Sequence, residues 1–432
     1  MHTSKKPIGL WSAVAMGIGA MVGAGIFALL GEASSISGSA VYISFVIGGI
    51  IALFSGYSLG KLGACYPSSG GIIEYLTQAF GSGTFTGSMG VMMYLAAIVS
   101  ISLIAKAFGN YAVTFLPFQT ENNLWHHIFS IGVVVLFVLI NLKGAKDVAI
   151  WERVTVGIKF IVLAAFSIAG IISLNPDLLS TQEYPPPSNI FFSLAITFFA
   201  YEGFRVITNT AEDMPNPAKT LPRAMVISIA LVMLLYVAIA FAVFGNLPVE
   251  QVINAKDFAL AQAALPIFGQ PGFTVVAITA LVATASAINA NLYAVTNITY
   301  QLAKDGELPA GFGKPIAHSR EGLIISGIFI IASLLIFDLS EIAAIGSISI
   351  LFIHGITHVG HLKLISKTGA SRILIIMAAL FSFIAMILAL DYISKQSDHV
   401  VIVLGGFVLV AVITEIFLQK IINKEVKPRI NP

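Results

Sequence analysis

The sequence runs to 432 residues, of which 57% are hydrophobic and only 10% charged, with a mean hydropathy of +0.93. Soluble domains are roughly a quarter charged, so a water-soluble protein, or a soluble domain on an anchor, is excluded and an all-α polytopic membrane protein is expected. The net charge of +2 gives no ground for nucleic-acid binding, and the single cysteine, Cys65, rules out an intrachain disulfide or a metal–thiolate cluster.

About 20 apolar residues cross the hydrocarbon core of a bilayer. On that measure twelve spans are predicted, at 10–32, 38–62, 84–106, 125–142, 151–174, 189–209, 222–245, 272–302, 322–337, 342–362, 372–391 and 399–420. The first follows Lys5 and Lys6 but is too long for a signal peptide and lacks a convincing cleavage site, so it reads as an uncleaved span. The eighth exceeds a plain crossing and should tilt or run past the membrane. Residues 255–268 are apolar but too short to span, and are expected to lie on the surface or to cap a cavity. The longest polar stretches, 175–188 and 303–321, are linker-sized, so 1–432 reads as a single membrane domain.

The first span carries Gly17, Gly19, Gly23 and Gly25. Small residues four apart let helices pack closely, and Gly19 and Gly23 fit that use. Each glycine also costs a helix about 1 kcal/mol relative to alanine, so an unwound segment is expected around Gly23-Ala24-Gly25. Unwinding frees backbone N–H groups at the start of a second half-helix, where the positive end of the dipole suits a carboxylate. In the fifth span stands Lys159. It can snorkel to the interface, or it can be held in the bundle against carbonyls and hydroxyls. An ammonium in apolar surroundings gives up its proton more readily than one in water. Such a lysine can take the place of a coupling sodium or carry a proton, and Thr284 and Ser286 in the eighth span offer hydroxyls to receive it.

The sixth span reads Phe198-Phe199-Ala200-Tyr201-Glu202-Gly203-Phe204-Arg205. A charge at bilayer depth costs roughly 2.5–3.5 kcal/mol. Glu202 and Arg205 share a face if the helix is intact; they can pair with each other, or Glu202 can bias ligand choice toward cationic or polar side chains. A break here would free carbonyl oxygens that favour a cation. His354, His358 and His361 in the tenth span lie on one helical face, which reads mainly as partly wet; metal binding or pH sensing are lesser readings. Tyr94, Asn289 and Asn291 read as interhelical contacts.

Irregular backbone at bilayer depth survives only where protein or a water-filled cavity satisfies it. Two interrupted helices in corresponding halves point to a central transport site. That spacing predicts five spans (10–174), five inverted spans (189–362) and two more (372–420). Amides for an anion beside carbonyls for a cation suit a zwitterion such as an α-amino acid. With the N-terminus placed in the cytoplasm, Lys and Arg fall on the cytoplasmic side except Lys106, Lys256 and Lys395 outside and Lys159 and Arg205 within spans. This asymmetry predicts an even span count with both termini cytoplasmic. An intramembrane enzyme would need a convergent nucleophile and base or a metal set, and a channel a ring of charges or filter carbonyls; neither pattern is present.

The motifs of spans one and six, the loop Glu212-Asp213-Met214-Pro215-Asn216-Pro217-Ala218-Lys219-Thr220-Leu221-Pro222-Arg223-Ala224 and the stretch Leu302-Ala303-Lys304-Asp305-Gly306-Glu307-Leu308-Pro309 together resemble the amino acid–polyamine–organocation superfamily of permeases. The likeness covers nearly the whole chain. It implies the LeuT-type fold, with helices 1 and 6 discontinuous, and secondary active transport of amino acids across the cytoplasmic membrane without a cofactor. Its proton-coupled, broad-specificity members are the nearest in pattern. By that resemblance, backbone around Met21, Gly23, Ala24 and Gly25 would hold the substrate carboxylate, and carbonyls of Phe199, Ala200 and Glu202 the α-amino group. Lys159 would replace sodium, reaching Gly19 and Ser286, and Tyr201 and Phe204 would gate access. Glu202 and Arg205 depart from the apolar residues of those members, so the substrate range does not carry over. A proton-independent exchanger or facilitator is the alternative. The sequence gives no indication of oligomeric state.

Overall fold

The structure is a computed structural model describing residues 8–68, 70–117, 123–143, 148–181, 184–305, 308–317 and 319–420. Lys5, Lys6, Gly306 and Glu307 lie outside these residues. Among the described residues the fold is almost wholly helical, with one two-stranded antiparallel pairing, Pro315–Ile316 with Ser319–Arg320. The helices are α1 (Leu10–Met21), α2 (Ala24–Ser37), α3 (Val41–Cys65), α4 (Ile72–Phe80), α5 (Thr84–Val113), α6 (Leu124–Lys143), α7 (Val148–Ile172), α8 (Pro187–Phe192) and α9 (Leu194–Tyr201). A 3₁₀ segment, Glu202–Asp213, separates α9 from α10 (Pro217–Phe244). There follow α11 (Val249–Asn254), α12 (Ala259–Asp305), α13 (Glu321–Ile336), α14 (Leu339–Thr368), α15 (Arg372–Ser394) and α16 (Asp398–Lys420).

Among the described residues, ten stretches are long and apolar enough to cross a membrane, and α1 and α13 are shorter apolar helices. Each of the twelve predicted spans has its helical counterpart: α1 with α2 forms the first, and α8, α9 and the 3₁₀ segment form the sixth. Helices that are apolar all round belong in a large core or in lipid, and both cases occur. α5 and α14 are buried along most of their length, whereas α6, α7 and α16 turn Leu139, Ile161, Ile168, Leu409 and Ile413 outward. α14 is tightly delimited. Asp338 and Glu341 form a reciprocal capping box at its start, and Gly369 ends it in the left-handed conformation (φ 61°).

The stretch predicted over 255–268 does not lie on the surface. It forms a 3₁₀ turn, Lys256–Phe258, and then the first turns of α12, bent at Gly269 (φ 66°), and buries Leu260, Ala261, Ala263 and Ala264 beside α2. Its approach is fixed by a polar clasp. Lys256 Nζ lies 3.2 Å from Glu32 Oε1 on α2, and Ser340 Oγ at the start of α14 donates to Glu32 Oε2 at 2.6 Å. A nearly fully buried carboxylate needs such partners, and that requirement pulls the segment inward.

Candidate functional site

The break in the first span is real and local. Val22 takes φ −81°, ψ 61°, and the Gly23 N–H donates to the Met21 carbonyl at 2.9 Å. This is an inverse γ-turn. Gly23 follows with φ −134°, ψ −97°, and α2 begins at Ala24 with no side chain capping its N-terminus. Backbone N–H groups there are left for another acceptor.

The sixth span differs from the expectation. The chain does not open at Phe199–Gly203; it tightens from α to 3₁₀ pitch at Glu202, whose N–H donates to the Phe199 carbonyl. A 3₁₀ segment keeps each carbonyl engaged one residue earlier than an α-helix does, so the backbone polarity is re-aimed without being stripped. α1 packs on the 3₁₀ segment and α2 on α9, so the two interrupted spans run antiparallel. Their contact is backbone on backbone. A Cβ at Gly25 would meet the Ala200 carbonyl, and one at Gly203 would meet the Ala20–Met21 peptide. Only glycine permits that approach. Tyr236 of α10, which the sequence reading missed, ties the breaks together: its hydroxyl donates to the Met21 carbonyl at 2.7 Å and stands 3.3 Å from the Ala200 carbonyl. A buried tyrosine needs such a partner, but nothing in its own sequence neighbourhood marks it.

Between the two spans lies a small cavity of about 50 Å³, lined by Met21 and Gly25 on one side and by Phe199, Ala200, Glu202 and Arg205 on the other. Asn291 of α12 and Ser100 of α5 complete its polar wall. Room for one water takes roughly 10–15 Å³ on this measure, so the space in this conformation suits a small solute. Tyr201 and Phe204, expected as gates, are fully buried elsewhere. Tyr201 Oη donates to the Phe45 carbonyl at 2.9 Å, and the Phe204 ring meets His354 edge-on.

Lys159 is buried and does not snorkel. Its Nζ donates to the Gly19 carbonyl at 2.5 Å, one turn before the break. Ser286 is half-buried on α12, which packs against α7. Glu202 and Arg205 do pair, Arg205 Nε standing 2.5 Å from Glu202 Oε1, and His354 Nε2 lies 3.4 Å from Glu202 Oε2. Neither contact has hydrogen-bond alignment, so both are electrostatic approaches. The histidine face expected to be partly wet is fully buried: His354, His358 and His361 are each 0% exposed. Ser55 and Ser58 of α3 supply the polar partners that water would otherwise provide. Tyr94 meets Ser326 at 3.1 Å and Asn289 accepts from Asn141 at 2.8 Å, as the interhelical reading anticipated, while Asn291 bonds its own helix at the Ala287 carbonyl.

The amino acid permease profile matches residues 8–414. The chain is 36% identical over 427 residues to the inner membrane transport protein YbaT of Escherichia coli (strain K12), covering 98% of this chain and 99% of that protein. It is 37% identical over 391 residues to an uncharacterized protein of Methanocaldococcus jannaschii, covering 90% and 88%. A further relative is the serine/threonine exchanger SteT of Bacillus subtilis (strain 168), at 27% identity over 337 residues, covering 74% and 73%. A broken span beside a pitch-changed one, joined by a tyrosine hydroxyl around a small hollow, is thus found in a multi-span membrane transporter, and the chain belongs to the amino acid permease family.

Proposed function

We propose that this permease is a proton-coupled symporter of the cytoplasmic membrane, with both termini in the cytoplasm and two inverted five-span units working by alternating access. The substrate carboxylate is bound by backbone at Met21, Gly23, Ala24 and Gly25. Its amino group is bound by carbonyls of Phe199, Ala200 and Glu202, each of which keeps a second lone pair when already accepting one bond. Arg205 already offsets the Glu202 carboxylate, which favours substrates with small, uncharged side chains over cationic ones.

The observation that carries the coupling is Lys159 Nζ on the Gly19 carbonyl, a buried cation seated on the backbone of the broken span. Protonated, the lysine holds α1 against α7; deprotonated, it releases it, with Ser286 as the second partner. A proton shifts such an equilibrium only through its different affinity for the two states, and loss of this contact supplies that difference. Phe199, which lines the cavity, narrows the approach to the site, with Tyr201 bracing the same helix from its bond to the Phe45 carbonyl. In proteoliposomes, alanine uptake should rise with an inward proton gradient in wild type and lose that response in Lys159→Ala. Wild-type pH dependence and rate in the variant would remove Lys159 from the mechanism.

A second reading, proton-independent exchange, is favoured by the named activity of the relative SteT. Uptake that requires preloaded amino acid and ignores the imposed gradient would select it.

A further inference from the structure

The three histidines and two serines form one continuous line. His354 Nδ1 lies 2.7 Å from Ser55 Oγ, and Ser55 Oγ lies 3.0 Å from His358 Nε2. His358 Nδ1 lies 2.8 Å from Ser58 Oγ, and Ser58 Oγ lies 2.9 Å from His361 Nδ1. His361 Nε2 then meets Thr368 Oγ1 at 2.9 Å, in the last turn of α14. At the other end His354 Nε2 faces Glu202 Oε2 across 3.4 Å, and Glu202 lines the central cavity. From His354 to Thr368 the line follows α14 for about 21 Å at 1.5 Å per residue, most of the roughly 30 Å hydrocarbon core.

The donor inventory makes the arrangement selective. A neutral imidazole has one N–H and one acceptor nitrogen, and a hydroxyl has one hydrogen and lone pairs to accept. One assignment fills every link. Thr368 donates to His361 Nε2, His361 Nδ1–H to Ser58, Ser58 to His358 Nδ1, His358 Nε2–H to Ser55, and Ser55 to His354 Nδ1, leaving the His354 Nε2–H beside Glu202 without a bond in this conformation. The complete reversal fills them equally well. A line with two coherent polarities passes a proton by inverting them: one proton enters at the Thr368 end, each member hands on the hydrogen it held, and one proton arrives on Glu202. No group need carry a lasting charge in the apolar interior.

We infer that this line is a proton relay joining the last turn of α14 to the Glu202 carboxylate in the substrate cavity. Its surroundings suit that use. Glu202 and Arg205 stand at the cavity end, and Lys61 of α3 and Lys363 of α14 at the other, while α9 and α15 turn Phe198 and Phe383 toward α14. The 3.4 Å step between His354 and Glu202 is open in this conformation and is the point at which delivery is gated. A proton placed on Glu202 neutralises it and frees Arg205, which itself lines the cavity, so delivery changes the charge that a substrate meets.

The relay rests on the transporter reading above, and its test has one arm independent of transport. Long-range ¹H–¹⁵N spectra of histidine-labelled protein should show His354, His358 and His361 neutral at pH 7. Their N–H groups should lie on Nε2, Nε2 and Nδ1, or on the complete inverse. An imidazolium among the three, or a mixed order, would overturn the relay. In proteoliposomes, Ser58→Ala and His358→Gln should lose at least tenfold of gradient-driven alanine accumulation while alanine counterflow stays within twofold of wild type. Undiminished accumulation in both variants, with Lys159→Ala impaired, overturns the relay and keeps proton coupling. If wild-type accumulation ignores the gradient, proton coupling fails, and the spectra alone decide whether the ordered line exists.

Discussion

The first and sixth spans perform matching interruptions by different means. In the first, an inverse γ-turn at Val22 severs the helix and leaves amides at the start of α2 unclaimed. In the sixth, the hydrogen-bond ladder tightens at Glu202 and nothing is severed. The difference follows from what each stretch contains. Glycines on both sides of Val22 make rupture cheap, and the freed amides match an anion. The sixth span carries an internal ion pair three residues apart, and a tighter pitch keeps those charged groups together without exposing backbone in a dry interior.

Substitutions can break that contrast, the largest effect first. Glu202→Ala should unseat the sixth span, because Arg205 would remain buried without its counter-charge. Loss of one partner of a buried pair costs about 3–5 kcal/mol, and thermal unfolding in detergent should show the largest fall in midpoint of this series. Replacing both partners by apolar residues should cost far less, and equal losses would mean that the pair itself is not what matters. Gly25→Ala and Gly203→Ala come next. Each forces a methyl into the opposing backbone, at about 1–3 kcal/mol or more, and both should lower alanine transport. Normal transport in Gly25→Ala would show that α2 and α9 are not held at backbone contact. Tyr236→Phe should follow at about 1 kcal/mol, with weakened alanine affinity because both breaks lose their shared donor. Ser340→Ala closes the series at a similar size, about 1 kcal/mol, held to that because Lys256 still serves the other oxygen of the buried Glu32 carboxylate.

The spans were legible in the sequence because bilayer thickness imposes a ruler on every crossing, and each of the twelve segments has its helix. The broken first span was legible for a local reason, since four glycines in nine residues cannot make a robust rod. The sixth was only half legible. Its buried charges announced an irregularity, but whether the ladder opens or tightens depends on Arg205 finding Glu202 and on Gly203 meeting the Ala20–Met21 peptide. The contacts that remained hidden join distant stretches. Tyr236 to Met21, Asn141 to Asn289, and His358 to Ser55 and Ser58 each link residues far apart in the chain, and no pattern along one helix encodes a partner on another. The histidines show the cost most clearly. Their spacing marked a common face, and only the serines of α3 decide that the face is dry.

Tyr236 has one hydrogen to give and two carbonyls within reach, on two rods that the proposed alternating-access cycle would move past each other. The shorter bond, to Met21, marks the position in this conformation. In that cycle, rocking of one rod against the other would redirect the hydroxyl from one carbonyl to the other, and its O–H stretch would serve as a vernier on the permease's position from inside the bundle.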